Sequence, residues 1–179
     1  MKKFLKIVGI IILGLIVIGI IGSAGKKGQS STSSSNSTPE ATKATAKVGD
    51  TVQDGDLAFT ATSVTTANSL GNSFTSSKAQ GIFYVITLKI ENKGKETKTV
   101  DSSMITLTDS QGRKFDRSIE GQTAKGLSQG KVDLFLQQVQ PGLSVTGDIV
   151  FDIPKDATGL KLLVKGGFFG AGQAIDLGK

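Results

Sequence analysis

Gly126-Leu127-Ser128-Gln129-Gly130 has the Gly-x-Ser-x-Gly spacing of a nucleophile elbow, and Ser128-Gln129-Gly130-Lys131 has the Ser-x-x-Lys spacing of penicillin-interactive enzymes. An elbow holds its serine on a strand-turn-helix junction and passes the proton to a histidine. The chain has no His, and Val132-Asp133-Leu134-Phe135-Leu136 reads as a following strand, where an elbow needs a helix. A Ser-Lys dyad needs both side chains on one helical turn together with further Ser and Lys motifs, and these are missing from the sequence. Ser128 is therefore expected in a polar loop without a catalytic role.

The acidic groups are weak candidates for the same kind of reason. Asp54-Gly55-Asp56 and the set Asp148, Asp152 and Asp156 are the best carboxylate clusters. A hard cation such as Ca²⁺ takes six to eight oxygens, and no EF-hand spacing occurs. These acids are expected to form turns and to occupy solvated outward positions. Gly166-Gly167-Phe168-Phe169-Gly170-Ala171-Gly172 is rich in glycine but opens no helix, so it lacks the dipole that cradles phosphate. It reads as a loop pinned by Phe168 or Phe169 in the core. The absence of Cys and His removes thiol and imidazole nucleophiles, zinc sites, common haem ligands and disulfides. No enzyme activity, cofactor or metal is expected.

The net charge of +6 raises the question of nucleic acid, but its distribution answers it. Residues 1–47 carry seven Lys and one Glu, while residues 48–179 carry 14 basic and 14 acidic residues. Lys93, Lys95 and Lys98 cluster, but Glu91 and Glu96 interleave them. A phosphate footprint needs clustered cations on one face, so this segment reads as a solvated hairpin and no nucleic-acid partner is expected.

The elements that must carry these residues are strands. Ile82, Tyr84, Ile86, Leu88 and Ile90 alternate with Phe83, Val85, Thr87, Lys89 and Glu91, and Val145, Gly147, Ile149, Phe151 and Ile153 alternate with Thr146, Asp148, Val150 and Asp152. That is the period of a strand. Shorter runs repeat it around Phe59, Leu107, Leu134 and Leu162, with turn residues at Asn92-Lys93-Gly94, Asp109-Ser110-Gln111-Gly112, Pro141-Gly142 and Lys155-Asp156-Ala157-Thr158-Gly159. No window of helical period exceeds ten residues. Pro141 fixes φ and Gly142 permits a positive one, so the pair can reverse the chain. Gly147 is expected on the inward face of its strand, Phe151 in the core, and Tyr84 in the core with its hydroxyl at the edge. Two polar segments, 67–81 and 119–131, read as long loops and are the first places to look for a binding site. The pattern predicts an all-β, antiparallel sandwich of seven to nine short strands over residues 48–179. A closed barrel shares the same pattern.

Residues 7–24 contain no charge and are apolar on all sides, and as a helix they would span about 27 Å, enough for a bilayer core. Lys2, Lys3 and Lys6 precede the run as in an export signal. Its length favours an uncleaved signal anchor over residues 1–24, with the N-terminus inside and the rest of the chain outside. The alternative is secretion after cleavage near Ala24, where Gly22-Ser23-Ala24 offers small residues. Residues 25–47 are expected to be a disordered linker, because ten of the eighteen residues 29–46 are Ser or Thr.

Three segments occur in a familiar order: Phe83-Tyr84-Val85-Ile86-Thr87-Leu88-Lys89-Ile90-Glu91-Asn92-Lys93-Gly94, then Ile105 to Phe115, then Gln140-Pro141-Gly142 through Val145, Gly147 and Phe151 to Pro154. This order resembles the bacterial surface family called domain of unknown function 4352, whose members resemble the immunoglobulin-like sandwich of a mycobacterial immunoprotective extracellular antigen. The resemblance covers roughly residues 48–170. It implies an exported β domain and supplies no activity or site residues. Many members are lipoproteins with a Cys at the end of the signal, but here Ser23 follows Ile20-Ile21-Gly22, so lipid anchoring through Cys is excluded. The functional expectation is a membrane-tethered, extracytoplasmic, non-enzymatic binding or adhesion module whose partner is an envelope protein or an extracellular ligand. The alternative is an envelope assembly or stress accessory that contacts a neighbouring membrane protein.

Overall fold

The alternating runs form strands, and two of them extend well past their apolar core. The computed structural model describes residues 45–129 and 133–179. The apolar run 7–24, residues 25–44 of the linker and residues 130–132 lie outside the described residues. The strands are β1 (Ala46–Lys47), β2 (Thr51–Asp54), β3 (Leu57–Gly71), β4 (Ser76–Asn92), β5 (Lys98–Thr99), β6 (Ile105–Thr108), β7 (Lys114–Phe115), β8 (Gln138–Val139), β9 (Ser144–Ile153), β10 (Lys161–Val164) and β11 (Gln173–Asp176). One helix, α1 (Ile119–Gln129), falls between β7 and β8. A 3-10 turn, Ser102–Met104, leads into β6 and is capped by Asp101, whose carboxylate accepts the Ser103 N–H at 2.8 Å.

One sheet has the order β1-β11-β10-β6-β7, the other has the order β2-β3-β4-β9, and β5-β8 is a separate ribbon. Pairing is antiparallel except between β1 and β11, which run parallel with Ala46 beside Ile175. β1 thus takes up the last two residues of the stretch read as linker. The sheets face each other across one core. Leu57, Phe59, Ile86, Leu88, Ile90, Ile149 and Phe151 come from one sheet and Ile105, Leu107, Leu162, Val164 and Ile175 from the other. The described residues form a β-sandwich, as the period-2 runs predict, but with eleven strands in place of the expected seven to nine, because the two-residue pairings β1, β5, β7 and β8 are too short to show a period. Phe151 is fully buried, Gly147 is buried opposite Leu88, and Tyr84 packs half-buried against the core.

Pro141-Gly142 reverses the chain as expected. Gly142 has φ 75°, and the Leu143 N–H donates to the Gln140 carbonyl at 3.0 Å. Asn92 is buried at the same end. Its amide donates to the carbonyls of Glu96 and Val139, and its carbonyl accepts the Gly94 N–H.

Three expectations are overturned. The segment 67–81 is the end of a long β3–β4 hairpin in place of a loop. Ser69, Leu70 and Gly71 pair with Lys78, Ser77 and Ser76. Asn72 closes its tip by accepting the N–H groups of Phe74 and Thr75, each at 3.0 Å, and a Cβ at Gly71 would fall on the Thr75 carbonyl. The described part of 119–131 is the helix α1. Residues 132–136 do not form the expected strand, since Leu134–Leu136 lie in a turn and Val132 is outside the described residues.

The helix has a local cause. Ser118 accepts the Gly121 N–H through its hydroxyl at 3.1 Å, and Glu120 stands in the first turn. It also has a tertiary cause. Phe83, Val85 and Val150 point to the outer face of the four-stranded sheet, where they form a second apolar cluster with Leu70 and Ala79. α1 covers that face. Gly121 lies so close that a Cβ there would sit 2.8 Å from both Phe83 Cε1 and Val150 Cγ1.

Candidate functional site

The segment 117–129 shapes the most individual surface of the domain, beginning at the edge of β9. An edge strand leaves backbone groups open to pairing with another chain. Here Arg117 bridges to Phe151, the Ser118 N–H donates to the Val150 carbonyl at 2.7 Å, and the Gln122 side chain supplies the next rung. Gln122 Nε2 donates to the Asp148 carbonyl at 2.8 Å, and Gln122 Oε1 accepts the Val150 N–H at 3.0 Å. A side-chain amide thus takes the place of a peptide group. Next to it Lys125 Nζ lies 3.2 Å from Asp148 Oδ2, both side chains being largely buried. Thr87 Oγ1 donates to Asp148 Oδ1 at 2.7 Å.

The residues singled out from the sequence are dispersed by this arrangement. Ser128 is on the last turn of α1, with its hydroxyl donating to the Lys125 carbonyl at 2.9 Å, and not in a loop. Asp148 is buried, contrary to the solvated position expected for it, because α1 and Lys125 cover its face of the strand. Asp152 accepts the N–H groups of Gln80 and Gly81, and Asp156 faces Arg113 at 3.4 Å, so the three acids have three separate partners. Among the described residues, no three acidic side chains converge as metal ligands would. The lysines of the 93–98 turn are separated by acids. Lys93 pairs with Glu91, and Lys98 pairs with Asp56 at 2.8 Å. The hydrogen bond from Lys93 holds the Glu91 carboxyl below its usual value, and the one to Asp56 holds Lys98 above its own.

The glycine-rich loop is held differently from the expectation. Phe168 and Phe169 are 92% and 95% exposed, their rings in an edge-to-face pair with centroids 5.1 Å apart. The core does not pin this loop; the buried carboxylate of Asp54 does. It accepts the N–H of Gly166 at 2.7 Å and of Gly172 at 3.1 Å. A Cβ at Gly166 would collide with the Asp54 carbonyl and one at Gly170 with its carboxylate, which explains the residue choice.

Beside the start of α1 lies a cavity of about 400 Å³ lined by Ser102, Ser103, Asp116, Arg117 and Ile119. The Arg117 guanidinium lies over the Phe135 ring, 4.0 Å from its centroid, and pairs with Asp133 at 2.9 Å. Ile119 is 69% exposed at the cavity, and Leu136, next to Phe135, is 79% exposed. Leu136 has φ 62°, the only positive φ at a non-glycine among the described residues. That backbone costs a leucine about 1–2 kcal/mol, and such strain concentrates at ligand clamps and switch regions. The sequence named 119–131 as a place to look, and Ile119 of that segment lines the cavity, but it did not bring Ser102, Ser103, Asp116 and Arg117 to it, because it expected a loop at 119–131 and a strand at 132–136. The available signals were Ser118 as a helix cap and the outward apolar triplet Phe83, Val85 and Val150, which needs a cover.

This geometry defines a β-sandwich domain whose polar groups serve mainly to tie turns and edges, with apolar residues displayed on its loops. The chain belongs to the family described as Domain of unknown function (DUF4352), whose model matches residues 46–175. Its fold is similar to that of a conserved hypothetical protein from Bacillus anthracis (14% identity, 73% of this chain and 95% of that one, TM-score 0.57). It is also similar to the yjhA protein from Bacillus subtilis (18% identity, 74% and 99%, TM-score 0.56). A third likeness is to MPT63, a secreted protein from Mycobacterium tuberculosis (12% identity, 75% and 96%, TM-score 0.51). Among curated protein sequences, none matches the chain.

Proposed function

We propose that the protein is a membrane-tethered, extracytoplasmic binding module. An immunoglobulin-like domain, held by the apolar run 7–24, presents the cavity beside Arg117 and Ile119 to a ligand. The observation that carries this reading is Leu136, an exposed leucine in a left-handed backbone, one residue after Phe135, whose ring lies under the cavity-lining Arg117. Hydrogen bonds from the Leu136 N–H to the Val100 carbonyl and from the Gln137 N–H to the Leu134 carbonyl hold this turn, while the exposed leucine side chain gains no burial there and is suited to a contact with a partner. The hydroxyls of Ser102 and Ser103, the charges of Asp116 and Arg117 and the apolar Ile119 suit a ligand with both hydrogen-bonding and apolar groups.

The test separates binding from stability. Leu136→Gly relieves the backbone strain, so the domain should unfold at the same temperature or higher. Cross-linking from intact cells carrying the full chain should give a specific adduct with the native protein and lose it with Leu136→Gly. An adduct of equal yield from both chains would exclude this surface, and substrate turnover abolished by one Asp or Lys substitution would replace binding with catalysis.

A further inference from the structure

Phe168 and Phe169 form an apolar tip on a loop that has no core role, and the surrounding structure keeps it outward. The loop is fixed at both ends by Asp54, through Gly166 and Gly172. Its two rings pack on each other and are almost wholly exposed. Two adjacent exposed phenylalanines on a rigid base are uncommon on a surface that meets only water. Lys165 flanks the tip, and Leu143, 60% exposed, stands on the Pro141-Gly142 turn at the same end of the sandwich. That placement follows from the turn contacts. Asn92 bonds to Leu143 and Gly142, Lys93 bonds to Asp56, and Asp54 precedes that turn.

The first described residues of the chain come in at this end. β11 starts at Gln173, directly after the loop, and β1 runs parallel to it with Ala46 beside Ile175. Thr45 therefore comes in from the end of the sheet that carries Phe168 and Phe169. Twenty residues, 25–44, separate Thr45 from the apolar run 7–24 in the sequence. Phe74, 96% exposed, is on the β3–β4 turn at the opposite end.

We propose that the Phe168–Phe169 tip enters the interface of the lipid bilayer and forms a second contact with the membrane that the N-terminal segment is proposed to span. This rests on the tethered reading above. Phenylalanine favours the boundary between headgroups and acyl chains, and a basic neighbour such as Lys165 suits the headgroup level. The contact would orient the domain and direct the β3–β4 turn away from the lipid.

The chain has no Trp, so a single introduced tryptophan reports its own surroundings. The full chain is reconstituted into phosphatidylcholine vesicles as Phe168→Trp and, separately, as Phe74→Trp. Lipids brominated along the acyl chain are the quencher. The Phe168→Trp chain should show blue-shifted emission quenched by the brominated lipid, and the Phe74→Trp chain should show neither. Adding Phe169→Ser to Phe168→Trp should reduce the quenching several-fold, since one buried ring contributes about tenfold or more in partitioning. Both positions are exposed, so folding should be unaffected, and circular dichroism checks it. If the chain floats with the vesicles but the tryptophan at position 168 stays unquenched and red-emitting, the loop proposal is overturned and the tether stands. Blue-shifted emission without lipid quenching would assign the tip to another copy of the chain and overturn it equally. Failure to float with vesicles overturns both the tether and the proposal.

Discussion

Asp109 is 7% exposed, yet its carboxylate accepts three donors: the Gln111 N–H at 3.0 Å, the Arg113 N–H at 2.9 Å and Arg113 Nε at 2.6 Å. Burial alone pushes this carboxyl up, but the Arg113 side-chain hydrogen bond, the backbone donors and the Arg113 charge outweigh it and hold it below its usual value. Asp101 is held down in the same direction by the Ser103 hydroxyl and N–H. A carboxyl with a lowered native pKa adds stability that is complete above its unfolded value of about 3.9 and is lost as pH falls through the lower native value. Thermal unfolding should therefore begin to weaken below about pH 4 and weaken further with added acid. Asp109→Asn keeps the shape but not the titration, so its unfolding temperature should start lower at neutral pH and fall less steeply in acid. Parallel pH profiles for the two chains, followed by circular dichroism, would show that the Asp109–Arg113 turn does not contribute to acid sensitivity.

At the scale of elements, the decisive pairing is between β9 and the segment that enters α1. Gln122→Ala removes the amide that serves the Asp148 carbonyl and the Val150 N–H. Leaving such buried groups unpaired costs about 1–3 kcal/mol. It also opens a strand edge, which invites pairing between molecules. The variant should unfold at lower denaturant concentration and scatter light sooner on heating, whereas an unchanged midpoint and no added scattering would mean that Ser118 and Arg117 suffice to hold the edge. The same segment shows why one element was illegible in the sequence. The strands were legible because β4 and β9 carry runs of period two whose inner faces match the core, and Pro141-Gly142 states its turn in its residue types. α1 has no such pattern, since the residues it buries are Gly121, Gln122 and Ala124, which are small or polar. The sheet beneath supplies the apolar atoms, so the cue lay in Phe83, Val85 and Val150. The tip of the glycine-rich loop misled in the opposite way. Phe168 and Phe169 read as core by their hydrophobicity, while the contacts that turn them outward run from backbone N–H groups to Asp54; the glycines mark a close approach but not the distant residue that makes it. The cavity beside Arg117 was illegible for a further reason: it joins the 3-10 turn to the residues that enter α1, which no local spacing relates.

For the whole molecule, charge and hydropathy divide the chain at the same place. The excess of positive charge is confined to residues 1–47, and residues 48–179 balance 14 cations with 14 anions. A balanced charge gives such a domain no broad field, and the two proposed contacts, the Arg117 cavity and the Phe168–Phe169 tip, are accordingly local surfaces. The described residues contain no helix long and apolar enough to cross a membrane, and the proposed tether is the run 7–24, which lies outside them. Lys2, Lys3 and Lys6 stand before that run and Lys26 and Lys27 after it, which with the terminal amine weights the N-terminal side. The chain should therefore insert with its N-terminus inside and its domain outside. Protease added to intact spheroplasts should remove the domain and leave a short protected N-terminal fragment, seen with an N-terminal tag. A fully protected chain would place the domain in the cytoplasm and remove both the extracytoplasmic reading and the outer-leaflet contact. Recovery from the medium of a chain starting at Gly25 would instead mean cleavage after Ala24. The domain would then be free, the tip would need another surface, and only the cavity beside Arg117 would remain as a binding site.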